Sequence, residues 1–363
     1  MQKKIAIIGT VGIPAIYGGF ETLAEYLTQY LGTHYVLTVY CSSKSYPKQL
    51  ADYNNAKLVY LPFNANGVQS IIYDMLAIIK ALRYADTLLI LGVSGCTILP
   101  LVKLFSRKKI IVNIDGMEWR RHKWGKLAKW FLMFSEKLAV KYADEVITDN
   151  QVIKEYVLSE YGVNSTLIAY GGDHAVAVPL TKKVLSLYPY LAGDYAFTVC
   201  RIEPENNIHI ILEAVTKQHR LPFVFVGNWQ ASQYGRNLYA SYGNSADIYL
   251  LDPIYDQALL NQFRSNCLVY LHGHSAGGTN PSLVEAMCLG LPLFAFAADY
   301  NQETTENAAQ YFSNADGLKD LLANTSKDSL LANGKAMSGI ASSRYQWQGI
   351  IEQYAELFNR HLT

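Results

Sequence analysis

The sequence predicts an α/β protein built from two Rossmann-like, doubly wound domains. Three observations carry this. Short apolar runs of strand length alternate with helical patterns through both halves of the chain. Glycine-bearing turns follow the first of these runs and a late one, Cys267–Leu271. The chain has 363 residues, half of them hydrophobic, which suits two cores of about 170 residues each better than one.

Taken in order, Lys4–Gly9 reads as a buried strand, Thr10–Gly19 (TVGIPAIYGG) as a long loop, and Phe20–Leu31 as a helix with apolar residues at helical spacing. The glycines at 9, 12, 18 and 19 do not form a GxGxxG fingerprint, so the loop predicts a substrate-facing lid or floor and not a dinucleotide site. Further strands are expected at Tyr35–Tyr40, Lys57–Leu61, Thr87–Leu91, Lys109–Ile114, Glu145–Thr148 and Thr166–Ala169. Thr87–Leu104 is interrupted by Gly92, Gly95 and Pro100, and divides into strand, turn and helix more naturally than it spans a bilayer.

Asp115 and Glu118 follow the strand KKIIVNI at its carboxyl end, where open parallel sheets place ligands. They are candidate catalytic carboxylates; the plainer alternative for Asp115 is a turn cap. Asp149–Asn150 and Gly171–Asp173 repeat the placement. In Glu118–Phe134 (EWRRHKWGKLAKWFLMF), Arg120, Arg121, Lys123, Lys126 and Lys129 interleave with Trp119, Trp124, Trp130, Phe131 and Phe134. A basic face with aromatic anchors fits an anionic membrane surface. A solvated face over a buried aromatic stripe is equally open, and His122 is more simply a surface residue.

The second half is expected to start near Tyr195. Its strands are Tyr195–Cys200, Pro222–Val226, Asp247–Leu250, Cys267–Leu271 and Leu293–Phe296; its helices are Asn207–Lys217, Ser232–Tyr242, Tyr255–Arg264 and Pro281–Leu289. Asp173–Gly193, with Pro179 and Pro189, shows little periodicity and is the expected hinge. The tail Ser342–Leu362 is amphipathic and helical. The boundaries expected are residues 1–175 and 190–340, with the helical tail 342–363 beyond them.

The chemistry is concentrated in His272–Gly290 (HGHSAGGTNPSLVEAMCLG). Asn280 is a good N-cap, Pro281 suits the first helical position, and Ser282 adds a hydroxyl beside the helix start. Free amides and the positive helix end then lie above Gly277 and Gly278, and Glu285, one turn in, leans back toward the same place. An anion site with a carboxylate for a hydroxyl suggests a nucleotide.

Bulk properties exclude other classes. A formal net charge of +1 gives no case for nucleic acid. The five cysteines lack metal-ligand spacing and read as reduced core residues. No DxD pair stands at a strand end, so neither metal nor cofactor is expected. MQKKIAIIGTVG lacks the longer apolar region and cleavage site of a signal peptide, which predicts a chain that stays in the cytoplasm.

The combination of GTVGIPAIYGGFE, DGMEW, RIEPENNIH and HGHSAGGTNPSLVEAM resembles glycosyltransferase family 4, of the GT-B fold, and within it the bacterial rhamnosyltransferase-type branch of polysaccharide biosynthesis. The resemblance implies two Rossmann-like domains facing a central cleft, 1–175 binding the acceptor, with the helix 342–363 packing back on it, and 190–340 binding the nucleotide-sugar. It implies transfer of a sugar, such as rhamnose from dTDP-rhamnose, from a nucleotide-diphosphate donor to a lipid-linked saccharide, with retention of configuration, at the inner face of the cell membrane. Arg201 matches the family's diphosphate-binding Arg, whereas Asn206 stands where the family has Lys. Glu285 matches the ribose-binding Glu of a Glu-x7-Glu motif, whereas Gly277 replaces its first Glu; His272 or His274 could substitute for that lost contact. Gly278, Thr279, Asn280 and Ser282 complete the donor set. Gly18, Gly19 and Glu21 match a loop that packs against donor phosphate and acceptor. Asp115 would orient or deprotonate the acceptor hydroxyl, with Glu118 as second candidate. Arg120, Arg121, Lys123 and Trp124 would meet membrane or acceptor. The alternative readings are a GT-B nucleotide-sugar epimerase and a sugar-nucleotide sensor.

Overall fold

The computed structural model of the protein describes residues 2–16, 18–114, 116–120, 124–218 and 221–360. The chain divides into two compact units, Met1–Tyr170 with Gln348–Thr363, and Gly171–Trp347.

In the first unit, β1 (Lys4–Ile8), α1 (Gly19–Leu31), β2 (Val36–Ser42), β3 (Asp52–Tyr53), β4 (Ala56–Leu61), α2 (Gln69–Ala81), β5 (Thr87–Leu91), α3 (Leu99–Phe105), β6 (Lys109–Ile114), α4 (Lys126–Tyr142), β7 (Glu145–Thr148), α5 (Gln151–Tyr161) and β8 (Thr166–Leu167) follow in order. The sheet runs β3-β4-β2-β1-β5-β6-β7-β8 and is parallel except for β3 against β4. Ile5 of β1 lies between Leu37 and Thr87, and Ile5–Ile8 are completely buried, which is why this strand carries no polar alternation. Because β2 and β5 flank β1, the strand order reverses at β1, and the loops after β1 and β5 open at that switch point.

The second unit contains α6 (Lys182–Leu187), β9 (Ala196–Val199), α7 (Ile208–Gln218), β10 (Phe223–Val226), α8 (Gln233–Tyr242), β11 (Ile248–Leu251), α9 (Gln257–Ser265), β12 (Val269–His272), α10 (Pro281–Cys288), β13 (Leu293–Phe296), α11 (Asp299–Thr304), β14 (Gln310–Phe312), α12 (Ala315–Asn324) and α13 (Lys327–Arg344). Its sheet, β11-β10-β9-β12-β13-β14, is parallel throughout. Phe223, Phe225, Trp229, Leu271 and Phe294 form the centre of its core. The order reverses at β9, between β10 and β12.

The last helix, α14 (Trp347–Asn359), has all but its first residue in the first unit. Its terminal carbonyls are met by two ammonium groups. Lys3 Nζ donates to Phe358 O at 2.9 Å, and buried Lys109 Nζ donates to Leu357 O at 2.6 Å and Arg360 O at 2.8 Å. Cations at a helix C-terminus satisfy orphan carbonyls and oppose the negative dipole end.

Several expectations shift. The tail helix starts at Trp347, because Ser342–Arg344 end α13. The segment 173–193 contains α6, capped by Thr181, whose hydroxyl accepts from Val184 N–H at 3.3 Å. The elements α11, β14, α12 and α13 were not legible as sequence patterns. No helix among the described residues is long and apolar enough to cross a membrane.

Candidate functional site

In the second unit the site is built where the order of strands reverses. The loops that leave β9 and β12 at their carboxyl ends are fastened together. Ser275 donates both its N–H and its hydroxyl to Glu205 O at 2.9 Å, and Asn207 Nδ2 donates to Gly273 O at 2.8 Å. Gly273 is obligatory, because a Cβ there would lie 2.1 Å from Asn206 O. Asn301 Nδ2 closes the far side by donating to His274 O at 2.8 Å.

Asn206 is buried and fully used. Its Nδ2 donates to Arg201 O at 2.7 Å, which leaves Oδ1 as acceptor for His274 Nδ1 at 2.7 Å. The proton therefore sits on Nδ1, and Nε2 is the basic edge of His274. That edge is 3.1 Å from where a Cβ at Gly277 would stand, and Gly277 has φ of +126°. Asn206 and Gly277, the two positions where the chain departs from the motif it resembles, are thus joined: Asn206 holds His274, and His274 closes on a glycine whose positive φ disfavours a Glu. The Arg201 guanidinium is about half exposed, 4.0 Å from Glu203.

His272 ends β12 with its ring stacked on Tyr270 at 6.2 Å, and is followed by His274 at 6.1 Å. Its Nε2 is buried with no hydrogen-bond partner among the described residues. Burial holds its pKa down at about 3, so the ring is neutral in ordinary conditions.

Asn280 caps α10 through Oδ1, which accepts from Ser282 N at 3.0 Å and from Ser282 Oγ at 2.8 Å, while Leu283 N–H bonds to Asn280 O at 3.0 Å. Pro281 has no N–H. The first-turn amides are therefore occupied, contrary to the expectation of free donors. The helix offers its dipole, and Gly277, Gly278 and buried Thr279 form the turn before it.

Glu285 is bound at both oxygens. Oε1 accepts from His174 Nε2 at 2.9 Å, and Oε2 is ion-paired with the buried guanidinium of Arg264. Burial would push the Glu285 carboxyl up, but the Arg264 charge and the His174 hydrogen bond overcome it and hold the pKa near 2. Arg264 and His174 were missed from sequence because they stand 21 and 111 residues from Glu285. A carboxylate has about four acceptor positions, so two remain for a ligand hydroxyl.

In the first unit, Gly18 has φ of +139°, and Glu21 folds back over it, its Oε1 accepting from Val11 N–H at 3.3 Å. Gly19 begins α1. Glu21 thus braces the loop from inside, and Glu25 does the same by accepting from Ala15 N–H and from Tyr53 OH. Glu118 Oε1 accepts from Trp124 Nε1 at 3.2 Å, and Arg120 lies over the Trp119 ring at 5.2 Å. Asp115, Arg121, His122 and Lys123 lie outside the described residues.

The aromatic run on α4 is not a buried stripe. Leu127, Trp130, Met133 and Phe134 are exposed, with Trp130 and Phe134 stacked at 5.8 Å. The neighbouring α3 exposes Leu101, Leu104 and Phe105. Exposed Arg107, Arg120, Lys126 and Lys137 belong to the same stretch. Among the described residues no group of three or more His, Cys, Asp or Glu is placed to hold a metal ion.

Residues 2–173 match the model of a domain of unknown function (DUF1972), and residues 191–337 match that of glycosyl transferases group 1. No curated protein matches the sequence significantly. Among solved structures, sucrose-phosphate synthase from Thermosynechococcus elongatus superposes with a TM-score of 0.83 at 15% identity over 98% of both chains. HepE of Anabaena in complex with UDP-glucose gives 0.75 at 15% identity, over 98% of this chain and 99% of that one. The trehalose 6-phosphate synthase of Burkholderia multivorans gives 0.72 at 11% identity over 99% of both. The fold is GT-B, with two Rossmann-like parallel-sheet domains. The match to glycosyl transferases group 1 lies wholly within the second unit.

Proposed function

We propose that the protein transfers a sugar from a nucleotide-diphosphate donor held at the carboxyl edge of the second sheet to a lipid-linked saccharide, with retention of configuration and without a metal, in cell-surface polysaccharide synthesis. The observation that carries the reading is the fastened pair of loops after β9 and β12 at the sheet's reversal, with Asn280-capped α10 and Glu285 beside them. HepE, of the same fold, binds UDP-glucose.

The leaving diphosphate develops negative charge, which the Arg201 guanidinium and the α10 dipole oppose. Glu285 receives the ribose hydroxyls on its remaining lone pairs. The sugar meets the Nε2 edge of the His274 ring at Gly277 instead of a second carboxylate. One weak acceptor in place of a charged bidentate one suits a sugar with fewer hydroxyls, such as rhamnose from dTDP-rhamnose. Asp115 orients or deprotonates the acceptor hydroxyl, with Glu118, fixed by Trp124, as the second candidate. The exposed apolar face of α3 and α4, edged by cations, rests on the anionic inner surface of the cell membrane, where a lipid-linked acceptor is found.

A thermal-shift panel of UDP-, GDP-, dTDP- and ADP-sugars identifies the donor, since a ligand at 100 times its Kd adds about 2.7 kcal/mol of stability. Product formation from that donor and a lipid-linked saccharide then separates a transferase from a sensor. No stabilisation by any member of the panel would remove the nucleotide reading. Asp115→Asn is expected to keep donor affinity and lose transfer by at least about a hundredfold; normal turnover would sink that assignment.

A further inference from the structure

The carboxylate of Glu285 is held by two donors of different kinds, and their division of labour is readable. Arg264 brings charge to Oε2. His174 brings none. Its Nδ1 accepts from the indole N–H of Trp347 at 3.0 Å, and an indole nitrogen can only donate. The His174 proton must then be on Nε2, where it points at Glu285 Oε1, 2.9 Å away.

The segment that delivers His174 is clamped on both sides. A Cβ at Gly172 would lie 2.7 to 2.8 Å from the backbone of Val284 and Glu285, so this chain runs directly against α10. A Cβ at Gly171 would meet the Trp347 ring at 2.4 Å. Gly172 N–H donates to Tyr345 O at 2.9 Å, and Trp347 N–H donates to Asp173 Oδ1 at 2.9 Å. Trp347 itself is buried.

We infer that His174 is a positioning residue for the donor site: it fixes the plane of the Glu285 carboxylate so that its open lone pairs meet the ribose hydroxyls, and Trp347 enforces the tautomer that lets it do so. One donor would leave the carboxylate free to turn about its terminal bond. A second donor on the other oxygen removes that freedom before the ligand arrives. The inference rests on the reading of this site as a nucleotide site.

The test is calorimetry with the nucleoside diphosphate that the wild type binds and with its analogue lacking the ribose hydroxyls. Wild type is expected to prefer the hydroxylated ligand about tenfold, and His174→Leu to shrink that preference to about twofold or less. His174→Gln keeps an amide donor within reach of Oε1 and should retain the preference; Trp347→Phe should reduce it. Full discrimination in His174→Leu overturns the inference, and so does equal loss in His174→Gln and His174→Leu. Binding by wild type without discrimination overturns it while leaving the nucleotide reading intact. Absence of any nucleoside diphosphate binding by wild type removes both.

Discussion

Glu285→Ala is expected to destabilise the second unit by about 3 to 5 kcal/mol, besides weakening nucleotide binding. The reason is Arg264. Its guanidinium is buried, its Nε has no partner among the described residues, and its other side-chain contact, to Asn261 Oδ1, is long at 3.4 Å. Removing Glu285 strands that charge in the protein interior. Glu285→Gln, which keeps the acceptor and the shape, should lose less. Arg264→Leu combined with Glu285→Leu should recover most of the stability, because a buried ion pair replaced as a unit is often neutral. Chemical unfolding of the four proteins checks this; an unfolding free energy for Glu285→Ala equal to the wild-type value would refute it. The sign with pH follows from the depressed carboxyl. Its contribution is complete above the unfolded carboxylate range and is lost as pH falls from about 4.5 towards 2. The gap between wild type and Glu285→Ala should therefore narrow only in that acid window. Loss of ligand binding in Glu285→Ala alone would be ambiguous for the same reason, and the double variant separates a missing ribose contact from a loosened unit.

How far the sequence could be read depended on the distance over which each feature is determined. The start of α10 was legible because a cap, a proline at the first position and a hydroxyl act within three residues, and the structure has Asn280 as that cap. The fate of Glu285 was not, because its partners come from α9 and from the segment after β8. Asn206 and Gly277 could be seen as two departures from a motif; that they are joined through His274 is visible only in three dimensions. Helix α13 escaped for a different reason. It buries Leu330, Asn333, Gly334, Met337 and Ala341, so only two large apolar residues, one every second turn, mark a face otherwise made of small and polar ones, while Leu331 is exposed. Gly334 lets it approach so closely that a Cβ would lie 2.3 Å from Gly290 O, and packing through small residues leaves little periodic signal. On α4 the sequence showed aromatic residues at helical spacing but not the direction they face.

That direction sets the second large effect. With Leu104, Phe105 and Trp130 changed together to serine, association with anionic vesicles is expected to fall about a thousandfold, since each apolar side chain contributes roughly 1.5 kcal/mol or more on leaving water. These side chains are 73%, 82% and 62% exposed, so their replacement removes little from the core, and nucleotide binding by the second unit should not change. Cations contribute separately. Arg120, Arg121 and Lys123 changed together to alanine should lower the same association by about 1 kcal/mol for each charge that reaches the surface, and only where the lipid is anionic and the salt is low. A face that merely meets water predicts a different pattern: both triple variants would sediment with vesicles as the wild type does, and the serine variant would only be more soluble. A face that docks on lipid requires the serine variant to fail on anionic and neutral vesicles alike, while the alanine variant fails on the anionic ones alone.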